Sequence, residues 1–514
     1  MADMPAAGDP GEHFDLIVIG SGPAGEKGAV QAAYFGKKVA LIERSPTVGG
    51  ACVHTGTLPS KTLREAALYV TGFQRRNLYG MTLDIDREAS LRQLMGRIRA
   101  VTDQQVAQIS GNLRKHGIVT ITGQAELVGA HELIVRATGG GAGTGTGTAA
   151  TAVSEPPPRR LSADVILIAT GSAPLRPAGV PFDDPDVEDS DTILDLDRIP
   201  SSLAVVGGGV IGCEYASMFG ALGTIVTIVE GRESLMGFLD AEISGGLKSA
   251  LERDGHQVLL GDAVLSIERI LRGPLRLQLK SGKRLEVDKI LYSAGRAGNT
   301  RGLGLDRAGV TLDAKGRILV NEHFQTAAAH VYAAGDVVGN PALASVSMEQ
   351  GRVAMCHAFG IPYKTRVSPL TPFGVYTIPE ISMVGATEDD LKKSGTAYEV
   401  GRAGYADNAR GQIIGERDGA MKLLFAVDTK KLLGVHIIGD RATELVHIGQ
   451  MVMEHDGSID VFIDSVFNFP TLAEIYKYAA YDGLGRLARR GGPLPLSPAP
   501  APAPASTSAP LTQG

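Results

Sequence analysis

Residues 14–30 read FDLIVIGSGPAGEKGAV: an apolar run that stops at Gly20, then Gly22 and Gly25 opening a helix-forming stretch. A short apolar run of this kind, bounded by glycine, predicts a strand buried on both faces of a parallel sheet. Each glycine has its own task. Gly20 makes the tight turn, Gly22 lets a pyrophosphate reach the backbone, and Gly25 lets helix and strand pack closely. The helix N-terminus then offers free N–H groups and a positive dipole end to phosphate. Beyond the helix, KKVALIE ends at Glu43, 23 residues after Gly20, where an acid meets the adenosine ribose hydroxyls. A glycine triplet alone is weak evidence, but strand, glycines, helix and acid in this order predict a dinucleotide site.

A second copy follows. Residues 202–230, SLAVVGGGVIGCEYASMFGALGTIVTIVE, supply Gly207, Gly209 and Gly212, with Glu230 again 23 residues beyond the first glycine. Two dinucleotides on one chain predict hydride or electron transfer between them. A third element, AHVYAAG, reads as a strand leading to Asp336. A carboxylate at the C-terminal edge of a parallel strand suits sugar or ribityl hydroxyls, although an isolated Asp there also serves as a helix cap.

The rest of the chain fits a globular enzyme. It has 514 residues, 44% hydrophobic and 21% charged, which suggests about three domains. A net charge of -6 without a cluster of Lys and Arg argues against nucleic acid as a partner. The N-terminus lacks a signal-peptide pattern, and no apolar run approaches the roughly 20 residues of a membrane helix. A cytoplasmic protein is expected. Cys52, Cys213 and Cys356 are far apart and without metal-ligand spacing, so neither a disulfide framework nor a metal site is indicated. Cys213 and Cys356 lie in apolar helical patterns and read as core.

Strand-like runs alternate with helical ones as far as about Pro369, which predicts parallel α/β units. Beyond it, YTIPEISMVGA and KLLFAVDTKKLLGVHIIG read as antiparallel strands and AEIYKYAAYDGLGRLA as a helix, a separate α+β domain. Two segments read as irregular: residues 137–160, a Gly/Thr/Ala loop between strands, and 491–514, a Pro/Ala-rich tail.

Taken together, GSGPAG, GGACVHTGTLPSK (residues 49–61), ATGS (169–172), GGGVIGCE, SAGRAGNT (293–300) and YAAGD resemble the FAD-containing pyridine nucleotide-disulfide oxidoreductases over about 14–490. The resemblance implies an FAD domain in two parts, 1–170 and 298–366, an NAD(P)-binding domain at 171–297, and a C-terminal dimerisation domain at 367–490. Both nucleotide domains would be Rossmann-like, and the protein a homodimer or a larger homo-oligomer. FAD would take the first fingerprint with Gly50, Cys52, Lys61, Thr170, Gly171 and Asp336; NAD or NADP would take the second with Gly295. The resemblance also puts Lys61 near flavin N5, paired with Glu214, where a fixed ammonium stabilises developing negative charge.

The departures from the family matter as much. Its disulfide-reducing members carry C-x4-C, whose second cysteine here is Thr57, and a C-terminal His-Pro-Thr-x-x-Glu, which here reads FPTLAE with Phe469 for histidine and Glu474 kept. A phenyl ring transfers no proton. With both parts of the thiol machinery missing, the chain resembles the soluble, FAD-dependent pyridine nucleotide transhydrogenases of that family, which pass hydride from NADPH to NAD+ by ping-pong. Glu230 suits the 2′-OH of NAD, and Arg232 could swing to the 2′-phosphate of NADP. Val210 stands where some relatives have a tyrosine over the nicotinamide, which suggests an ungated pocket. Cys52 needs no redox role, and His54 reads as a satisfied loop histidine. The alternatives are a lipoamide-dehydrogenase-like enzyme, an NAD(P)H oxidase or quinone reductase, and a noncatalytic nucleotide-binding sensor.

Overall fold

A computed structural model describes residues 12–71, 87–138, 157–195, 198–271, 273–339 and 341–490, which form two units. Residues 139–156 of the Gly/Thr/Ala segment and the tail 491–514 lie outside the described residues. Unit 1 comprises Met1–Met236, Lys248–Pro369 and Tyr376–Ile378.

The first sheet of unit 1 is built from β1 (Glu12–Ile19), β2 (Val39–Glu43), β3 (Val119–Thr122), β4 (Gln124–Leu127), β5 (Glu132–Arg136) and β6 (Arg159–Ile168), in the order β3-β2-β1-β6-β5-β4. β1 runs parallel to β2 and β6, so Ile19 stands level with Ile42 and Ile168. Leu16, Ile17 and Val18 are fully buried, as expected of a central parallel strand covered on both faces. The antiparallel pairing of β5 with β6 forms the hairpin expected across residues 137–160. Helix α1 (Pro23–Tyr34) lies between β1 and β2, and α2 (Gly50–His54), α3 (Thr57–Thr71) and α4 (Arg87–Lys115) lie between β2 and β3.

From β6 the chain passes through β7 (Ser172–Pro174) into a second sheet made of β8 (Val187–Glu188), β9 (Ser202–Val206), β10 (Ile225–Glu230), β11 (Gln257–Leu260) and, later, β15 (Lys289–Tyr292). Its order is β11-β10-β9-β15-β8, all parallel, with α5 (Val210–Ala221) joining β9 to β10 and α6 (Ala241–Arg253) preceding β11. Strands β12 (Val264–Arg269), β13 (Leu275–Leu279) and β14 (Arg284–Val287) make an antiparallel sheet before β15. The return is by β16 (Arg296–Gly298), antiparallel to β7 with Ser172 opposite Gly298.

The chain then reaches β17 (Val331–Ala333), which joins the first sheet beside β6, and α7 (Ala344–Ala358), which packs on α1. The strand expected over AHVYAAG is shorter than predicted. Gly335 has φ +83°, which takes the backbone out of the extended region, and Asp336 opens a short 3-10 turn.

Unit 2 contains Gly237–Leu247, Leu370–Val375 and the chain from Pro379. Its antiparallel sheet runs β18-β19-β22-β21-β20, from β18 (Phe373–Val375), β19 (Ile381–Gly385), β20 (Tyr398–Gly404), β21 (Ala420–Ala426) and β22 (Leu432–Ile438). Short helices α8 (Glu388–Ser394), α9 (Ala409–Ile414) and α11 (Asp460–Asp464) accompany two longer ones. The longer α10 (Ala442–Glu454) and α12 (Ile475–Arg489) bury Leu445, Val446, Tyr476 and Ala479 with Val435 and Ile437 of β22. A lysine lies within this unit: Lys422, 3% exposed, donates to Asp240 at 2.8 Å, Glu242 at 3.1 Å and Glu388 at 2.6 Å.

One expected strand is replaced by another arrangement. In YTIPEISMVGA only Ile381–Gly385 is a strand. Tyr376–Ile378 belongs to unit 1, where its N–H groups go to side chains of α5, and Pro379 has no N–H to offer a ladder. No helix among the described residues is long and apolar enough to cross a membrane.

Candidate active site

The two fingerprints fold into matching cradles at the C-terminal ends of β1 and β9. Both lie where the strand order reverses, the usual ligand crevice of an open α/β sheet. Gly20 and Gly207 have φ of +102° and +110°, which an L side chain rarely adopts. Their N–H groups donate to the carbonyls of Ile42 at 2.8 Å and Val229 at 2.9 Å. A Cβ on Gly25 would lie 1.9 Å from the Gly20 carbonyl oxygen, and one on Gly212 would lie 1.9 Å from that of Gly207. These four glycines are required by the protein itself.

Gly22 and Gly209 are different. They cap α1 and α5 with φ of -65° and -80°, which any residue adopts, and an added Cβ would meet no atom within 4 Å. Nothing in the protein requires glycine at either place. Glycine there leaves the backbone open to an approaching group, and a helix N-terminus suits a pyrophosphate. Gly50 adds to the first cradle: its φ is +60°, and a Cβ there would come within 2.9 Å of the Gly22 Cα.

The acids repeat the correspondence. Glu43 accepts from Ser21 N at 3.0 Å, Ser21 Oγ at 2.6 Å and Ser45 N at 2.9 Å. Glu230 accepts from Gly208 N at 2.6 Å and Arg232 N at 2.9 Å, and the Arg232 side chain adds Nε to Oε1 and Nη2 to Oε2, both at 2.9 Å. Burial opposes ionisation of Glu230, but these hydrogen bonds outweigh it and bring its pKa down to about 2.

An ion pair with one buried partner joins α3 to α5. Lys61 of α3 donates to Glu214 of α5 at 2.7 Å, and Glu214 is 4% exposed. Its other oxygen accepts the Tyr376 N–H at 2.9 Å, and the Lys61 ammonium lies 4.9 Å from the centre of the Tyr376 ring. Tyr376 comes from a segment 162 residues away and carries no motif that marks it in the sequence.

All three cysteines are free thiols. Cys52 of α2 is half-buried and hydrogen-bonded to the Thr57 side chain, so Thr57 stands beside the thiol as a hydroxyl that cannot form a disulfide. Burial pushes the Cys52 thiol up, while the Thr57 hydrogen bond and the Lys61 ammonium pull it down. His54 ends α2 rather than occupying a loop, and its Nε2 donates to the Val48 carbonyl at 3.0 Å. Cys213 and Cys356 are buried in α5 and α7.

Asp336 accepts from Ser172 Oγ at 2.8 Å, and Arg296 donates to that same oxygen at 2.9 Å and to the Ser172 carbonyl at 2.8 Å. Thr170 Oγ1 donates to the Asn299 carbonyl at 2.8 Å, while Asn299 returns a bond to the Thr170 carbonyl at 2.9 Å. Gly171 has φ +67° with open space around it, and Gly295 has φ +135°. Thus Thr170, Gly171, Gly295 and Asp336 sit on or beside the β7–β16 ribbon, with Ser172, Arg296 and Asn299 supporting them. In unit 2, Phe469 is 73% exposed and Glu474 half-buried. No cluster of His, Cys, Asp or Glu among the described residues could hold a metal ion.

Comparison with known proteins agrees with this geometry. The family profile described as pyridine nucleotide-disulphide oxidoreductase matches residues 14–351, and the profile for that family's dimerisation domain matches 371–480. A protein named soluble pyridine nucleotide transhydrogenase from Mycobacterium bovis (strain BCG / Pasteur 1173P2) is 45% identical over 479 residues, covering 92% of this chain and 98% of its own. One of the same name from Yersinia enterocolitica is 42% identical over 480 residues, covering 92% and 99%. Among solved structures, the HOCl-induced flavoprotein disulfide reductase RclA of Escherichia coli superposes with a TM-score of 0.80 at 26% identity, over 91% of this chain and 99% of that one. LpdA of Mycobacterium tuberculosis gives the same values. With two congruent nucleotide cradles in unit 1 and profile matches across both units, the chain belongs to the pyridine nucleotide-disulphide oxidoreductase family.

Proposed function

We propose that the chain is an NADPH:NAD+ transhydrogenase working by ping-pong, with the two nicotinamide nucleotides visiting the second cradle in turn. FAD is the cofactor of this family, and when bound it supplies the redox chemistry, accepting a hydride from one nicotinamide and giving it to another. The first cradle fits it: Gly22 and Gly50 leave the backbone open to a pyrophosphate, Glu43 faces the adenosine end, and Asp336, with Thr170 and Gly171, stands at the edge of β6 and β17. Gly209 and the α5 N-terminus do the same for the nicotinamide nucleotide, with Glu230 and Arg232 reading its ribose and Gly295 at the ribbon.

In this reading Lys61 provides a positive charge that is already in place before reaction, so no solvent need reorganise around it. Glu214 fixes that ammonium, and Tyr376 fixes Glu214. The observation that carries the proposal is the neighbour of Cys52. Passing electrons to a disulfide needs a second thiol there, and Thr57 is a hydroxyl; the exposed Phe469 likewise supplies no acid or base. The names of the relatives at 41–45% identity support the same activity. The dimerisation-domain match supports a homodimer, and three free thiols suit the cytoplasm.

The test is anaerobic: the purified holoprotein is mixed with NADPH and thio-NAD+ and no other acceptor, and the appearance of reduced thio-NAD is followed. Sustained turnover is expected. Bleaching of the flavin by NADPH without turnover would refute transhydrogenation and direct the search to oxygen or quinones.

A further inference from the structure

Residues 376–378 offer three successive backbone groups to side chains of unit 1. The Tyr376 N–H donates to Glu214 Oε1 at 2.9 Å, the Thr377 carbonyl accepts from Arg64 Nε at 3.1 Å, and the Ile378 N–H donates to Ser217 Oγ at 3.0 Å. The segment follows the end of β18 at Val375 and belongs to no strand, so no sheet ladder fixes its backbone. Its holders come in pairs. Arg64 stands one turn beyond Lys61 on α3, and Ser217 one turn beyond Glu214 on α5, the i, i+3 spacing that puts both members on one helix face. Arg64 and Ser217 are each 4% exposed, and Thr377 and Ile378 are buried with them. The single hydroxyl proton of Ser217 settles the direction of its bonds: Oγ donates to the Glu214 carbonyl at 2.9 Å, so it meets Ile378 as an acceptor.

We infer that Arg64 and Ser217 are positioning residues for hydride transfer: by fixing 376–378 they keep the Tyr376 N–H on Glu214, and through Glu214 they keep the Lys61 ammonium in one place. The inference rests on the proposed role of Lys61 at the flavin. An ion pair alone does not fix an ammonium. Lysine carries three rotatable donors on a flexible stem, and the Lys61 side chain is 24% exposed, so it can follow a carboxylate that turns. Glu214 stops turning when its second oxygen is taken by a backbone N–H that is itself immobile. The Tyr376 ring lies 4.9 Å from the ammonium, so a shift of the segment would move the anchor of the anion and the aromatic face together. A charge speeds reaction only when it is already in place, and misplacing a group by about 1 Å costs up to about 100-fold.

The experiment is a double-variant cycle on the holoprotein, with Ser217→Ala, Lys61→Met and the two combined. Two quantities are read anaerobically: the rate of flavin bleaching at saturating NADPH, and the flavin midpoint potential by dye titration. Ser217→Ala should slow bleaching by about 5- to 50-fold, short of the factor of about 10²–10³ for losing the ammonium, with half-saturation by NADPH unchanged within about 2-fold. It should also lower the potential part of the way to that of Lys61→Met, since a loosened cation favours the reduced flavin less. In the Lys61→Met background, adding Ser217→Ala should change the rate by no more than about 2-fold and leave the potential where it is, because the group that it positions is gone. A serine that only satisfied a buried N–H would lower the urea midpoint and leave rate and potential alone, or slow bleaching by the same factor in both backgrounds. Either result would overturn the inference while the role of Lys61 stood. Lys61→Met bleaching at the parent rate would instead remove the reading on which the inference rests. Should Ser217→Ala not fold, Arg64→Lys, which keeps a charge and loses the Nε–H, takes its place in the cycle with the same directions expected and smaller factors.

Discussion

Replacing Lys61 by methionine takes the cation away from a carboxylate with little else to hold it. The Glu214 side chain is 5% exposed, and with its 2.7 Å ion pair gone the Tyr376 N–H at 2.9 Å is its remaining hydrogen-bond donor among the described residues. Removing one partner of a fully buried pair costs about 3–5 kcal/mol, because the other charge is left uncompensated, and the loss here should be smaller, since the Lys61 side chain is 24% exposed. Lys61→Met should therefore lower the urea midpoint with the slope unchanged. The same substitution removes the preset positive charge proposed to act at the flavin, and losing one such group costs a factor of about 10²–10³ in rate. The double variant Lys61→Met/Glu214→Gln separates the two effects. A glutamine keeps an acceptor for Tyr376 and leaves no charge stranded, so most of the stability should return while anaerobic flavin bleaching by NADPH, followed by stopped flow, stays slow. If Lys61→Met bleached at the parent rate, the proposed role of the ammonium would be wrong. If the single variant were as stable as the parent, the burial argument would be wrong as well.

The cradle glycines should divide by position: Gly25→Ala, whose Cβ would meet a carbonyl oxygen at 1.9 Å, should destabilise the fold by about 1–3 kcal/mol or more in chemical unfolding. Gly22→Ala should leave unfolding within about 0.5 kcal/mol of the parent, yet weaken FAD binding to the apoprotein, measured by flavin fluorescence quenching. Because burial raises the Cys52 thiol, its alkylation by iodoacetamide, read by mass spectrometry, should stay slow at neutral pH and accelerate only above the ordinary thiol range; Lys61→Met should move that rise to higher pH still. The carboxyls around Lys422 all titrate low: Glu242 is brought to about 2 chiefly by its hydrogen bond from Arg402, while burial opposes ionisation of Asp240 and Glu388 but hydrogen bonds from Lys422 overcome it. Their contribution to stability is thus complete above about pH 4.5, the ordinary carboxylate range, and drains away as pH falls toward 2. In Lys422→Met that acid-sensitive contribution should shrink, and an unchanged acid-unfolding profile would contradict this account.

The glycine fingerprints were legible in the sequence because their geometry is local. Strand, turn and helix N-terminus are fixed by residues within a single βαβ unit, and the 23-residue spacing to each acid follows from the length of one helix and one strand. The partners that tune those acids were not legible as a group. Arg232 stood out as a charge near Glu230, but its fork on the carboxylate depends on a side-chain rotamer that spacing does not encode. Ser21 and Ser45 look like ordinary turn residues. Lys61 and Glu214, 153 residues apart, were linked by resemblance to a family, since nothing periodic joins them. Tyr376 was lost inside an apparent strand, because its β-forming residues outweighed the one fact that matters, that its N–H is taken by a distant carboxylate. The strand before Asp336 is shorter than its composition suggests for a related reason: AHVYAAG has strand composition throughout, and the positive φ of Gly335 takes the backbone out of the extended region.

The pairing of β7 with β16 has a consequence for the chain's engineering. Everything between Pro174 and Arg296 departs and comes back through hydrogen-bonded neighbours, so the two ends of that span are about 4.8 Å apart, the width of one strand spacing. A tight turn joining them would leave the order of the first sheet unaltered. A transplant of the span would need to match this pair of entry points and also the partners that its side chains hold elsewhere: Lys61 and Tyr376 on Glu214, Ile378 on Ser217, and Lys422 and Arg402 on Asp240 and Glu242.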